Sequence, residues 1–218
     1  MKIDMDLVVD IVLKLPAIFL AMTFHEYAHA LVAYKQGDDT PVKMGRLTLA
    51  PLVHIDWIGL VMFTLLGFGW AKPVRVNPSN FKNRKRGDIL VSIAGPIANL
   101  LVAAVASFVL IIVLVIFRGL DQDKLEIISR ILNNTIFLNI VFMILNLLPI
   151  PPLDGYQVLK TLLFRNHISG FLKFEKYSTI VLVALIFFGV MDFIIAIPAF
   201  TIYSFLVNTS KSIVSIFL

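Results

Sequence analysis

Three long apolar runs dominate the chain, roughly residues 7–35, 88–117 and 130–150, and each supplies the ~20 helical residues needed to cross a bilayer core. A fourth run, roughly 178–207, is longer than one crossing requires and is interrupted by Gly189, Asp192 and Pro198, which predicts a kinked or broken helix. A shorter run, WIGLVMFTLLGFGWA at 57–71, is bracketed by tryptophans and suits a re-entrant or interfacial piece better than a full crossing. Between the first run and this piece, PVKMGRLTLAPLVHIDWIG holds short alternating stretches such as GRLTL bounded by Pro and Gly, which predict one or two short strands near the membrane surface. The pattern therefore predicts an all-α polytopic membrane protein: about four transmembrane helices plus a re-entrant, short-strand, membrane-associated segment. Residues 1–218 are expected to form a single integral-membrane domain, with its core at about 15–165 and the broken C-terminal span at about 178–207.

Composition agrees with the pattern. Of 218 residues, 59% are hydrophobic and 15% charged, and the mean hydropathy is +0.91, outside the balance of a soluble globular domain. Charge then orients the spans. The stretch from Lys35 to Arg86 is rich in Lys and Arg, and a second basic stretch runs from Lys160 to Lys176. Both fall on one side of a four-span arrangement, and that side is expected to be cytoplasmic, with both termini outside. The loop FRGLDQDKLEIISR balances its acids and bases and fits the outer face. The run KNRKRGD could be read as a nucleic-acid patch, but directly before a span it reads as an anchor at the lipid surface, so no nucleic-acid partner is expected. The first twenty residues show no small-residue cleavage site, which argues against a removable signal peptide.

The chemistry lies in LAMTFHEYAHALVAY at 20–34, where His25, Glu26 and His29 sit inside an apolar run although the chain has only four histidines. Ionisable groups in such surroundings are costly and suggest function. On a helix, positions i and i+4 lie ~40° apart around the axis and ~6 Å along it, so both imidazoles can reach one metal ion. Glu26 stands beside them, free to take a proton from a metal-bound water. The plainer alternative is a pair of helix-face histidines reaching toward the interface. EYAH also matches the Glu-x-x-His of di-iron bundles, but neither Glu126 nor Glu175 has a histidine three residues on, which excludes that site by count. With no cysteine, any metal must be held by imidazole and carboxylate. A catalytic zinc needs a third protein ligand, for which His54, His167 and nearby aspartates are candidates. Asp154, in NLLPIPPLDGYQVLK, is the best placed: it closes the third span on the side where the first span delivers His25 and His29. Its alternative role is to cap the helix that follows. Asp192 is a rival carboxylate with no partner motif near it.

Taken together, HEYAH, AGPIANLL at 94–101 and NLLPIPPLDG at 146–155 resemble the site-2 protease family of intramembrane zinc metalloproteases (peptidase family M50). The stretch between His29 and Ala94 leaves no room for an inserted PDZ domain, so the chain is similar to the compact branch. The resemblance implies one Zn2+ per chain held by His25, His29 and Asp154, with Glu26 as general base. It also implies that Gly95 allows close approach to the metal-bearing helix and that Asn99 turns an amide toward the active cavity to hold substrate or stabilise an oxyanion. Small-residue helix packing is the alternative for Gly95 and Asn99. His54, as a substrate-side or regulatory contact, and Asn146 are secondary candidates. The implied substrate is a transmembrane protein cut near its cytoplasmic end within the lipid bilayer of a bacterial or archaeal cell membrane, a homo-oligomer or membrane regulator being compatible with this. The re-entrant piece and the GRLTL stretch are candidates for gating or for pairing with extended substrate. The rival class is non-catalytic: a zinc-site membrane protein, or a metal transporter.

Overall fold

A computed structural model of the chain describes residues 5–67, 69–117, 119, 121–163 and 169–217. In chain order the helices are α1 (Met5–Gln36), α2 (Thr40–Lys43), α3 (Pro51–His54), α4 (Trp57–Leu66), α5 (Arg84–Ile116), α6 (Gln122–Leu147), α7 (Asp154–Leu163), α8 (Ser169–Phe187) and α9 (Val190–Val214), with a short 3-10 turn at Pro78–Asn80. Among them α1, α5, α6 and α9 are long and apolar enough to cross a membrane. Lipid is as apolar as leucine, so these helices associate through close packing, which small residues permit. Ala17, Ala21, Ala30 and Ala33 of α1 are fully enclosed, and Ala103 and Ala106 of α5 pack with Ile136 and Ile140 of α6 and with Ile195 and Ala199 of α9.

Polar contacts fix the order of the ends. Asp10 near the start of α1 pairs with Arg130 near the start of α6 at 3.3 Å, while the Lys82 amide donates to the Gln36 carbonyl at 2.9 Å, bringing the end of α1 to the start of α5. In α9, Ser210 meets Ser107 of α5 at 2.8 Å, and the Tyr203 hydroxyl donates to Asn133 of α6. Lone hydroxyls and amides in apolar helices thus find partners across the bundle.

The run at 57–71 folds back on itself as a short hairpin. Ten residues of α4 span only ~15 Å, half of a hydrocarbon core. Its two ends meet: Ile55 and Ala71 form an antiparallel bridge, and the Lys72 amide donates to the His54 carbonyl at 2.8 Å. Asp56 caps α4 by accepting from the Gly59 amide, and Gly67, at φ 76°, ends the helix in a left-handed conformation. The returning chain lies against Gly59, where a Cβ would stand 2.1 Å from the Trp70 carbonyl oxygen. Trp57, Ile58, Val61, Leu65 and Trp70 stay exposed on this hairpin, as suits an element set in lipid.

One expectation is corrected. Residues 45–49 form turns and a bend, not a strand. Gly45 and Arg46 donate their amides back to Val42 and Pro41, the Arg46 guanidinium donates to the Val53 carbonyl, and the His54 ring bonds the Thr48 carbonyl at 2.8 Å. Local partners have taken the groups a strand would have used. In the last apolar run the break falls at Gly189, φ 71°, which separates α8 from α9, whereas α9 continues through Pro198. His167 lies outside the described residues.

Candidate metal centre

His25 and His29 lie on the inward face of α1 and are only 7% and 9% exposed. The prolines after α6 end that helix, and α7 begins at Asp154. Gly155 lets this turn press onto the end of α6: a Cβ there would stand 2.2 Å from the Leu147 carbonyl oxygen. The outcome is a triangle of ligand atoms. His25 Nε2 and His29 Nε2 are 3.0 Å apart, and Asp154 Oδ2 is 3.2 Å from the first and 3.3 Å from the second.

Hydrogen bonds on the far sides of the rings determine what this triangle can hold. His29 Nδ1 lies 2.8 Å from the Val91 carbonyl, which can only accept, so Nδ1 carries the proton. His25 Nδ1 lies 2.7 Å from Asn99 Oδ1. The amide of Asn99 is oriented with its nitrogen toward two acceptors, the Ala21 carbonyl at 3.0 Å and Asn139 Oδ1 at 2.9 Å, so Oδ1 faces the imidazole and Nδ1 of His25 is again the donor. In their neutral forms both rings then direct Nε2 lone pairs at a carboxylate oxygen that is itself buried without a hydrogen-bond partner. Three converging acceptors repel one another unless a cation lies among them. For tetrahedral zinc with ligands at ~2.0–2.1 Å, the separations between ligand atoms are ~3.3–3.4 Å, close to those found, and a fourth position stays open. Gly95 faces the triangle: a Cβ there would come within 2.5 Å of His25 Cε1 and 2.6 Å of both Nε2 atoms. The residues fit a zinc ion.

Glu26, 7% exposed, accepts a hydrogen bond from the Val74 backbone amide at its Oε2, 2.8 Å. Residues 72–76, which form neither helix nor strand, therefore pass beside the site between the Ala71 bridge and Asn77, whose amide donates to the buried carboxylate of Asp38 at 2.7 Å. Other candidates lie elsewhere. His54 is fully enclosed in the base of the hairpin and outside the ligand cluster. The side chain of Asn146 donates to the Phe142 carbonyl of its own helix, and Asp192 sits exposed in the first turn of α9. Both hydrogens of the Asn99 amide are engaged, so none remains to donate to an oxyanion. Sequence reasoning missed Val91, Val74 and Asn139. A carbonyl or an amide proton of the backbone leaves no trace in side-chain identity, but an asparagine within IFLNIVFMIL is a costly residue in an apolar helix and was a usable signal.

A bundle of membrane-crossing helices with a His-His-Asp metal triangle and a carboxylate beside it defines a membrane-embedded metalloenzyme class. Peptidase family M50 matches residues 14–189, and the chain belongs to that family, the site-2 proteases. Among relatives, a Bacillus subtilis protein named as a zinc metalloprotease, YwhC, is 41% identical over 172 residues, covering 77% of each chain. The Rip2 proteins of Mycolicibacterium smegmatis and Mycobacterium tuberculosis, also named as zinc metalloproteases, are 29% and 31% identical over 65% of this chain and 53% of their own length. No solved structure matches the chain.

Proposed function

We propose that this zinc metalloprotease hydrolyses a peptide bond in or beside the membrane-spanning segment of a membrane-protein substrate, with the scissile bond presented at the cytoplasmic face. The observation that carries the reading is the convergence of three buried lone-pair donors, His25 Nε2, His29 Nε2 and Asp154 Oδ2, next to the carboxylate of Glu26. These three residues would hold zinc. When bound, the metal supplies Lewis acidity, lowering the pKa of a coordinated water toward ~7 and polarising the scissile carbonyl.

The rest is work for the chain's own groups. Glu26 is fixed through Oε2 by the Val74 amide, and its Oε1, which has no protein partner among the described residues, is left to accept the proton of the attacking water. Asn99 acts on the imidazole of His25 rather than on substrate. A helical substrate hides its backbone bonds, so it must unwind before attack, and residues 72–76, outside any helix or strand, offer backbone for it to pair with. Sidedness follows from the basic stretches 35–86 and 160–176.

Glu26→Gln in the full chain, reconstituted with a single-span substrate, should retain zinc and lose cleavage. Asp154→Asn should lower zinc occupancy itself. Unchanged cleavage by Glu26→Gln would refute the assignment.

A further inference from the structure

We infer that Asn139, on α6, is a positioning residue for the metal site, acting through Asn99 to fix the tautomer of His25; this rests on His25 being a zinc ligand. Asn139 is fully buried, at 0% exposure, in the middle of a helix that contributes no metal ligand. Its Nδ2 donates to the Thr135 carbonyl at 2.8 Å, a group that can only accept. That bond fixes which way the Asn139 amide faces, and Oδ1 is therefore presented to α5. There it accepts from Asn99 Nδ2 at 2.9 Å, while the other hydrogen of that group goes to the Ala21 carbonyl of α1. With its nitrogen so committed, Asn99 turns Oδ1 to His25 Nδ1 at 2.7 Å.

The chain of bonds has one direction. It starts at a backbone carbonyl of α6, passes through two amides, and ends by holding a proton on Nδ1 of His25, which leaves the Nε2 lone pair aimed at the triangle. If the Asn99 amide turned over, its NH2 would face Nδ1, the imidazole proton would move to Nε2, and that proton would occupy the ligand position. Asn139 opposes this flip by confronting it with a second acceptor. Partners of this kind behind a ligating histidine typically change metal affinity by about 10- to 100-fold when lost. The arrangement also ties three membrane-crossing helices, α1, α5 and α6, to the orientation of one ring.

The test is zinc affinity, measured by chelator competition on the full chain in detergent, with the absorption spectrum of the cobalt-substituted protein as a second readout. Asn139→Leu, which removes donor and acceptor while keeping the same branched shape, should weaken zinc binding by about 10- to 100-fold and alter the cobalt spectrum. Asn139→Asp keeps an acceptor for Asn99 and should recover most of that loss. In an Asn99→Ala background Asn139→Leu should add little, because its route to the metal is already cut. If Asn139→Leu is not recovered folded, Asn139→Ala, favourable in a helix, carries the same comparison. Unchanged zinc affinity and cobalt spectrum, or a full additive loss in the Asn99→Ala background, would overturn the inference. Failure of the underlying reading looks different: His25→Ala would then leave zinc affinity as it was.

Discussion

At the scale of single residues, the site is built as much by what is missing as by what is present. Gly95 has no side chain because both imidazoles occupy the space where a Cβ would stand. Gly95→Ala should therefore act on the metal site more than on the fold. Alanine favours a helix over glycine by ~1 kcal/mol, which offsets part of the ~1–3 kcal/mol that displacing two buried rings costs, so melting of the metal-free protein should fall only modestly. Zinc affinity should drop by about tenfold or more as the rings are displaced, which chelator competition would measure. His25, Glu26, His29 and Asp154 were legible because two histidines four apart with a glutamate, and an aspartate after helix-breaking prolines, are written in side-chain identity. Asn99 was legible as a site residue, but not in its role. Whether an amide donates into a cavity or accepts from an imidazole depends on neighbours from α1 and α6 that adjacent sequence does not name.

At the scale of elements, the hairpin around α4 and the irregular residues 72–76 form a strap fixed at both ends. One end is held at the Ile55–Ala71 bridge, the other at Asp38, and the middle is attached through a single amide to Glu26. Val74→Pro removes that amide. The expected outcome is retained zinc with slowed cleavage, read as a lower kcat, because Glu26 loses the group that orients it. The apolar runs gave the crossing helices and the hairpin correctly, since length against bilayer thickness is a strong constraint. GRLTL misled because alternation alone does not supply a partner strand. Its amides and carbonyls close short turns with Val42, Pro41 and His54. The broken last span was foreseen, but Gly189 alone makes the break: glycine adopts the left-handed conformation that ends α8, whereas Pro198 is accommodated inside α9.

At the scale of the whole molecule, Asp38 joins the end of α1 to the chain returning toward α5. Burial pushes its carboxyl upward, but hydrogen bonds from the Asn77 amide, the Thr40 hydroxyl, the Asn80 side chain and the Thr40 amide outweigh this and hold it below the usual carboxylate value. The sign follows: a depressed pKa adds stability that is present above the unfolded value of ~3.9 and lost as pH falls through the folded one. Thermal unfolding in detergent should show Asp38→Asn less stable than the parent at pH 6, with the gap narrowing as pH drops below ~4. The same junction bears on how this protein tolerates change. The Lys82 amide reaches the Gln36 carbonyl at 2.9 Å, so everything between them leaves and returns at one point. Within that closed loop, Gly45 turns in open space, with nothing near the position a Cβ would take. Added sequence at Gly45 would lengthen the loop without separating α1 from α5, making it the place where a reporter, an affinity handle or an evolved extra module could be spliced in while the metal triangle stays as it is.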